Sequence, residues 1–238
     1  MATSIAHQTL SELGGAGSVL VRQRRDHIEL DHLIHRVERA EGTEQDETLT
    51  ELCRLVFPHA FAEEAVLWPL IRKRVPEGEQ LTLQIEQEHQ QINELFTELE
   101  KKPHSDPSRT ELLQSIITLL REDVRDEEDE LLPLIRTAMS DAELVRAGRM
   151  WEAVRRMAPT RPHPVVARRP PGNALAALPL TVLDRSRDNL DRASRRGPRP
   201  LSLPATAASR VLATVAGWVE HVPPLTRGED PSTRSGER

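Results

Sequence analysis

The sequence predicts an all-α fold: an up-down-up-down four-helix bundle, a short fifth helix, and a Pro/Arg-rich, partly helical C-terminal extension. Three observations predict it. Four long segments, over 18–41, 46–75, 79–101 and 107–139, show apolar residues at the helical period. The breakers between them are short, so consecutive helices must run antiparallel. Composition then changes beyond residue 140. Residues 1–140 hold 15 Lys/Arg against 28 Asp/Glu, a net of −13, whereas 141–238 hold 17 against 10, a net of +7, together with most of the prolines.

Residues 1–17 are small and polar, end in Gly14-Gly15-Ala-Gly17, and are expected to be loose. The first helix closes at Glu41-Gly42-Thr43, the second at Pro76-Glu-Gly78, and the third at Lys102-Pro103-His-Ser-Asp-Pro107. Pro58 and Pro69 in the second helix and Pro133 in the fourth remove backbone donors and should bend those helices. Ser140-Asp-Ala-Glu143 is a capping-box signal that opens a fifth helix to about Met157. The expected organisation is therefore a flexible 1–17, a bundle with its capping helix over 18–157, and a basic extension over 158–238. Within the extension, 173–194 and 205–221 read as helices, and the last 17 residues read as disordered.

Cys53 is the sole cysteine, which rules out an intrachain disulfide and points to a reducing compartment. The N-terminal residues lack a signal-peptide pattern, and no segment has the roughly 18 apolar residues of a membrane span. A cytoplasmic protein is the expectation. With no tyrosine and few aromatics, base-stacking recognition of nucleic acid is disfavoured.

One phrase occurs twice. His59-Ala-Phe-Ala-Glu63-Glu64-Ala-Val-Leu-Trp-Pro69-Leu-Ile-Arg72 returns 64 residues later as Asp123-Val-Arg-Asp-Glu127-Glu128-Asp-Glu-Leu-Leu-Pro133-Leu-Ile-Arg136. In each copy a potential ligand precedes a glutamate by four residues, and the glutamate precedes a proline by six. At about 100° per residue, His59 and Glu63 fall in the middle of the stripe made by Leu52, Leu55, Val56, Ala62, Val66 and Leu70, while Glu64 faces solvent. Asp123 and Glu127 fall among Leu112, Ile116, Leu119, Leu120 and Leu134. Glu130 shares that direction, and Asp126 and Glu128 sit outside or at the rim. On the first helix His27 lies at the edge of the Leu30–Ile34–Val37 stripe, with His32 on the far side and His35 on one flank. On the third, His89 flanks the stripe of Ile85, Ile92, Phe96 and Leu99, and Asn93 follows one turn later.

A single histidine at a stripe edge is usually an ordinary packed side chain. Three inward histidines with three inward carboxylates, drawn from all four helices, are a different matter. Carboxylates in an apolar interior require a compensating cation. A set of imidazoles and carboxylates without thiolate suits iron or manganese better than structural zinc, and a set this large suits two ions with bridging carboxylates.

The spacing resembles the hemerythrin-like (HHE cation-binding) family, a four-helix bundle with His on the first helix, His-x-x-x-Glu on the second, His on the third and His-x-x-x-Glu on the fourth. The matching residues are His27, His59 and Glu63, His89, and Glu127, over about 18–140. The resemblance implies a non-haem, di-iron oxygen-binding or metal-handling module acting on oxygen, nitric oxide, peroxide or iron. The metal ligands it implies are His27, His59, Glu63, His89, Asp123 and Glu127. The departure is Asp123, where the family has histidine. Aspartate makes the site harder and more anionic, favours ferric iron, disfavours reversible oxygen carriage, and weakens the second position. A metal-binding or sensor protein is expected more than a dedicated enzyme.

Two other functions compete. A metal-depleted bundle could act as an interaction protein through the basic extension, whose Arg168, Arg169, Arg185, Arg187, Arg192, Arg195 and Arg196 accompany an apolar set of Val182, Leu183 and Leu190. That segment could touch an acidic surface, a protein partner or the chain's own bundle. A ferritin-like ferroxidase ranks lower, because it uses Glu-x-x-His pairs at i,i+3.

Overall fold

A computed structural model describes residues 3–228 and 230–235; the side chains of residues 199 and 201 are not described. The described chain is helical and has no strand. The bundle consists of α1 (Val19–Arg39), α2 (Gly42–Ala62) continuing into α3 (Trp68–Arg74), α4 (Gly78–Lys101), and α5 (Ser108–Asp126) continuing into α6 (Leu132–Ala138). Next come α7 (Asp141–Arg156), α8 (Gly172–Arg196) and α9 (Arg199–Glu220). Ser140 accepts from the third residue of α7 while Glu143 bonds back to it, so the capping box forms as the sequence predicts. α9 begins six residues earlier than expected. Pro200 lies in its first turn, where no amide hydrogen would be paired in any case.

The two copies of the repeated phrase are the places where the long helices are not α-helical. Glu63–Leu67 and Glu127–Leu131 each form one π-helical turn. In the first, Trp68 N–H donates to the Glu63 carbonyl five residues back; in the second, Leu132 N–H donates to Glu127. The prolines explain the position. In a regular helix the rings of Pro69 and Pro133 would strike the carbonyls of Ala65 and Asp129, and one widened turn relieves both clashes.

The inserted residue rotates everything beyond it by about 100° relative to a straight helix. Leu67, Trp68 and Ile71 become buried, and Leu70 is left half-buried. Leu131, Leu132 and Ile135 turn inward, Leu134 is half-buried, and Glu130 is exposed rather than inward. Trp68, Leu131 and Leu132 join Trp151 of α7 in a core at one end of the bundle, and Ile34, Leu52, Phe96 and Ile116 form a second core at the other. The metal-ligand candidates lie between the two cores.

Residues 3–17 are tied down rather than loose, with Ile5 and Leu13 fully buried in the first core. α8 and α9 form an antiparallel hairpin with a small core of its own around Ala176, Leu180 and Ala216. Val182, expected in the apolar stripe of α8, is 64 % exposed. Beyond Leu180 the buried residues of α8 are polar instead. Asp184 accepts from the Thr160 and Arg161 amides and from His163 Nε2, at 2.9–3.0 Å. Asp188 binds Thr160, Arg161 and Arg54. Arg169 pairs with Glu79 and Glu86, Arg196 with Glu47, and Arg187 with Glu100. Much of the extension's positive charge is thus directed onto the acidic bundle. The described part of the last 17 residues also makes contacts: the amides of Ala167 and Gly172 donate to the carbonyls of Leu225 and Arg227.

His163 is the buried pin of this interface, with Nδ1 at 2.9 Å from Glu220 and Nε2 at 3.0 Å from Asp184. Burial opposes its charge, but Asp184 and Glu220 outweigh burial and raise its pKa to about 9. An unfolded histidine titrates near ~6.5, so this stabilisation is complete below that pH and fades as pH rises through about 9. The stability difference between wild type and His163→Gln should contain about 3 kcal/mol that vanishes on this alkaline limb. Urea unfolding at pH 6, 8 and 10 measures it, and a pH-independent difference would contradict the assignment.

Candidate metal centre

All six predicted ligands are buried and converge between the two cores. His32 and His35, by contrast, are solvent-exposed. Among the described residues two groups have ligand atoms within 4.8 Å of one another: His27, His59, Glu63 and Glu127, and His89, Asp123 and Glu127. In the first, His27 Nε2 lies 3.3 Å from His59 Nε2 and 3.2 Å from Glu127 Oε2, and His59 Nε2 lies 3.1 Å from Glu63 Oε1. In the second, His89 Nε2 lies 3.4 Å from Asp123 Oδ1 and 3.8 Å from both Glu63 Oε2 and Glu127 Oε1.

Glu63 and Glu127 therefore each turn one oxygen toward the His27–His59 group and the other toward His89. The two groups are adjacent and have Glu127 in common, and Glu63 of the first also turns toward His89 of the second. The first adds two imidazoles, and the second adds one imidazole and Asp123. Both oxygens of Glu63, Asp123 Oδ1 and Glu127 Oε1 are buried without a hydrogen-bond donor. Anionic oxygens left this way cost several kcal/mol each, and a multivalent cation is the compensation that fits a cluster also containing imidazole lone pairs. The donor set passes the test for a metal.

A second layer of carboxylates, absent from the sequence reading, holds the imidazoles. His27 Nδ1 lies 2.8 Å from Glu128, His89 Nδ1 2.9 Å from Glu64, and His59 Nδ1 3.5 Å from Asp26. Each pairing fixes a ring so that Nε2 points at the centre and makes that nitrogen a stronger donor. Glu64 corrects the sequence expectation directly. It is 1 % exposed rather than solvent-facing, because the π turn rotates it inward. Glu128 remains at the rim, yet it reaches His27. The available signal was adjacency: Asp26 precedes His27, and the second glutamate of each Glu-Glu follows a candidate ligand. The repeated dipeptide encodes a ligand and a histidine holder together.

The aromatic residues frame the same rings. Trp68 stacks on His89 with ring centroids 6.5 Å apart, and Trp151 meets His59 edge-on at 5.4 Å. On the side away from the π turns, Leu30, Val56, Phe57, Ile92 and Leu120 line a narrow pocket of about 20 Å³, with His27, His59, His89 and Asp123 among its lining residues. Asn93 is not among the ligand candidates. Its Nδ2 donates to the His89 carbonyl and its Oδ1 accepts from the His163 amide, which fastens the 158–171 segment over α4. Arg168 of that segment is buried with Nη1 3.8 Å from Glu64, so the extension reaches the residue that holds His89.

Comparison with known proteins agrees with this geometry. Residues 19–135 match the profile of the hemerythrin HHE cation binding domain. Just under half of the chain is thus similar to a hemerythrin HHE cation-binding domain. It is also 24 % identical over 149 residues to an uncharacterized hemerythrin-like protein of Schizosaccharomyces pombe, covering 62 % of this chain and 71 % of the other. No solved structure matches the chain. The hemerythrin domain ends at residue 135 in that match, so the hairpin lies beyond it. No helix among the described residues is long and apolar enough to cross a membrane.

Electrostatics describe what the metal-free centre must do. Burial opposes charge on His27 and His89, but Glu127 and Glu128 raise the first to about 9, and Asp123 and Glu64 raise the second to about 10. Burial, with the nearby Glu127 charge, pushes Glu63 and Asp123 upward. Protons thus occupy the space of a cation. Ligation requires bare Nε2 atoms, so metal uptake must expel protons and weaken as pH falls below about 9. Proton release on metal addition to weakly buffered protein checks this, and affinity that is flat from pH 6 to 9 would contradict it. Substituting the holders (Asp26→Asn, Glu64→Gln, Glu128→Gln) should each weaken metal binding roughly 10–100-fold, while Glu130→Gln leaves it unchanged. Equal effects at 128 and 130 in metal titrations would refute the holder role.

Proposed function

We propose that this chain is a non-haem di-iron protein that senses or handles dioxygen, nitric oxide, peroxide or iron. The observation that carries the reading is the pair of carboxylates, Glu63 and Glu127, each turning its two oxygens to different histidine groups. His27, His59, Glu63 and Glu127 would hold one iron, and His89, Asp123, Glu63 and Glu127 the other. Three imidazoles with three carboxylates and no thiolate favour iron or manganese over a closed zinc site.

Iron held here supplies an open coordination position and redox chemistry for a small ligand. The protein's own side chains do the rest. The aliphatic side chains beside His27, His59, His89 and Asp123 shield the cluster from water and leave space of about 20 Å³ next to it. Asp26, Glu64 and Glu128 hold the rings in one orientation. The second position, with one imidazole and an extra carboxylate, is harder and more anionic, so it favours ferric iron and has the weaker hold. This asymmetry supports sensing or turnover of an oxidant over reversible oxygen carriage.

Protein purified from iron-supplemented cells should contain two irons per chain, the second lost first on chelation, with an oxo-bridged ferric band in the near ultraviolet. Asp123→His should tighten the second iron and leave the first unchanged. Metal-free protein that stays equally helical after attempted reconstitution would overturn the reading.

A further inference from the structure

The hairpin and the bundle enclose a second cavity, distant in chemistry from the metal centre. The cleft has about 1150 Å³ of empty volume with its mouth included. Its apolar floor consists of Leu49 and Cys53 from α2 and Phe96 and Leu99 from α4. Its walls are charged, and the carboxylates among them are already engaged. Asp46 pairs with His104 and Arg109, while Glu100, Asp188 and Asp191 pair with Arg161.

Arg187 on the hairpin wall pairs with Glu100, but two other donors there are not used up in this way. Arg195 lines the cleft with no carboxylate at ion-pair distance among the described residues; its guanidinium donates to Thr50 Oγ1 at 3.2 Å. Arg210 of α9 lines the same cleft and has no side-chain partner among the described residues. Ser209 beside it also lines the cleft, with little of the residue exposed. Two cations and a serine hydroxyl thus share a cleft with an apolar floor.

We propose that this cleft binds an organic anion of the fatty-acid class, with a carboxylate head and an unbranched apolar chain. The head would lie against Arg195, Ser209 and Arg210, where guanidinium forks match a carboxylate in geometry and charge. The chain would cover Leu49, Cys53, Phe96 and Leu99, which removes apolar surface from water on both sides. The cleft lacks an aromatic sandwich for a nucleobase, and a small inorganic anion would leave the floor unused.

The test is calorimetric titration of the full chain with dodecanoate below its micelle concentration, with dodecanol and acetate as probes of tail and head alone. Dodecanoate should bind saturably, one per chain, and at least ~tenfold more tightly than either control, as expected for charge-assisted head contacts added to apolar burial. The double substitution Arg195→Ala and Arg210→Ala should remove this advantage while dodecanol binding and helicity stay unchanged. Cys53, the only cysteine, gives an independent readout: bound dodecanoate should slow its alkylation, followed by mass spectrometry. Absence of saturable binding would overturn the proposal. So would dodecanoate binding that the double substitution leaves unchanged, because that would place the ligand in the pocket at the metal centre.

Discussion

Two glutamates at the middle of an apolar bundle set the terms for the rest of this molecule. Glu63 and Glu127 are almost completely buried, and between them three oxygen atoms have no hydrogen-bond donor. A buried carboxylate without compensation is among the costliest arrangements in a protein interior. The surrounding residues answer that cost with three imidazoles aimed at the same space. Raised histidine pKa values are the metal-free form of the answer, and a pair of cations is the form the donor set fits.

Placing these groups requires two departures from regular helix, and the same sequence device produces both. A proline six residues after each glutamate forces the chain to widen into a π turn that starts on the glutamate itself. The widened turn brings the ligand and its neighbour inward on one helix, so Glu63 and Glu64 are both buried and serve different histidines. Such turns recur at functional sites in proteins. The turn also re-phases the helix beyond it, which lets Trp68 and Leu132 build the core against α7. The metal centre and the end of the bundle therefore depend on one local distortion used twice.

Much of this was legible in the sequence. Helical period and breakers located the bundle helices, and the angular positions of His27, His59, Glu63, His89, Asp123 and Glu127 against their own apolar stripes placed all six inside. What escaped has identifiable physical causes. A fixed rotation of about 100° per residue fails after a π turn, so Glu64 was assigned to solvent, Glu130 to the interior, and Leu70 and Leu134 to the buried face. The hairpin's attachment escaped because its buried face is built on Asp184, Asp188, Arg161 and His163. Hydrophobic periodicity carries no signal for an interface made of ion pairs, and it pointed instead to Val182, which is exposed. Only the charge imbalance between the two parts of the chain hinted that they would meet.

The central claim is that Glu63 and Glu127 would help hold two metal ions at positions of unequal character. Anomalous diffraction at the iron edge from iron-loaded crystals tests it most directly. The account predicts two peaks roughly 3.5–4 Å apart, one among His27, His59 and the two glutamates, the other beside His89 and Asp123 with the lower occupancy. A single peak, or metal bound along the exposed Asp129–Glu130 edge instead of between the glutamates, would contradict it.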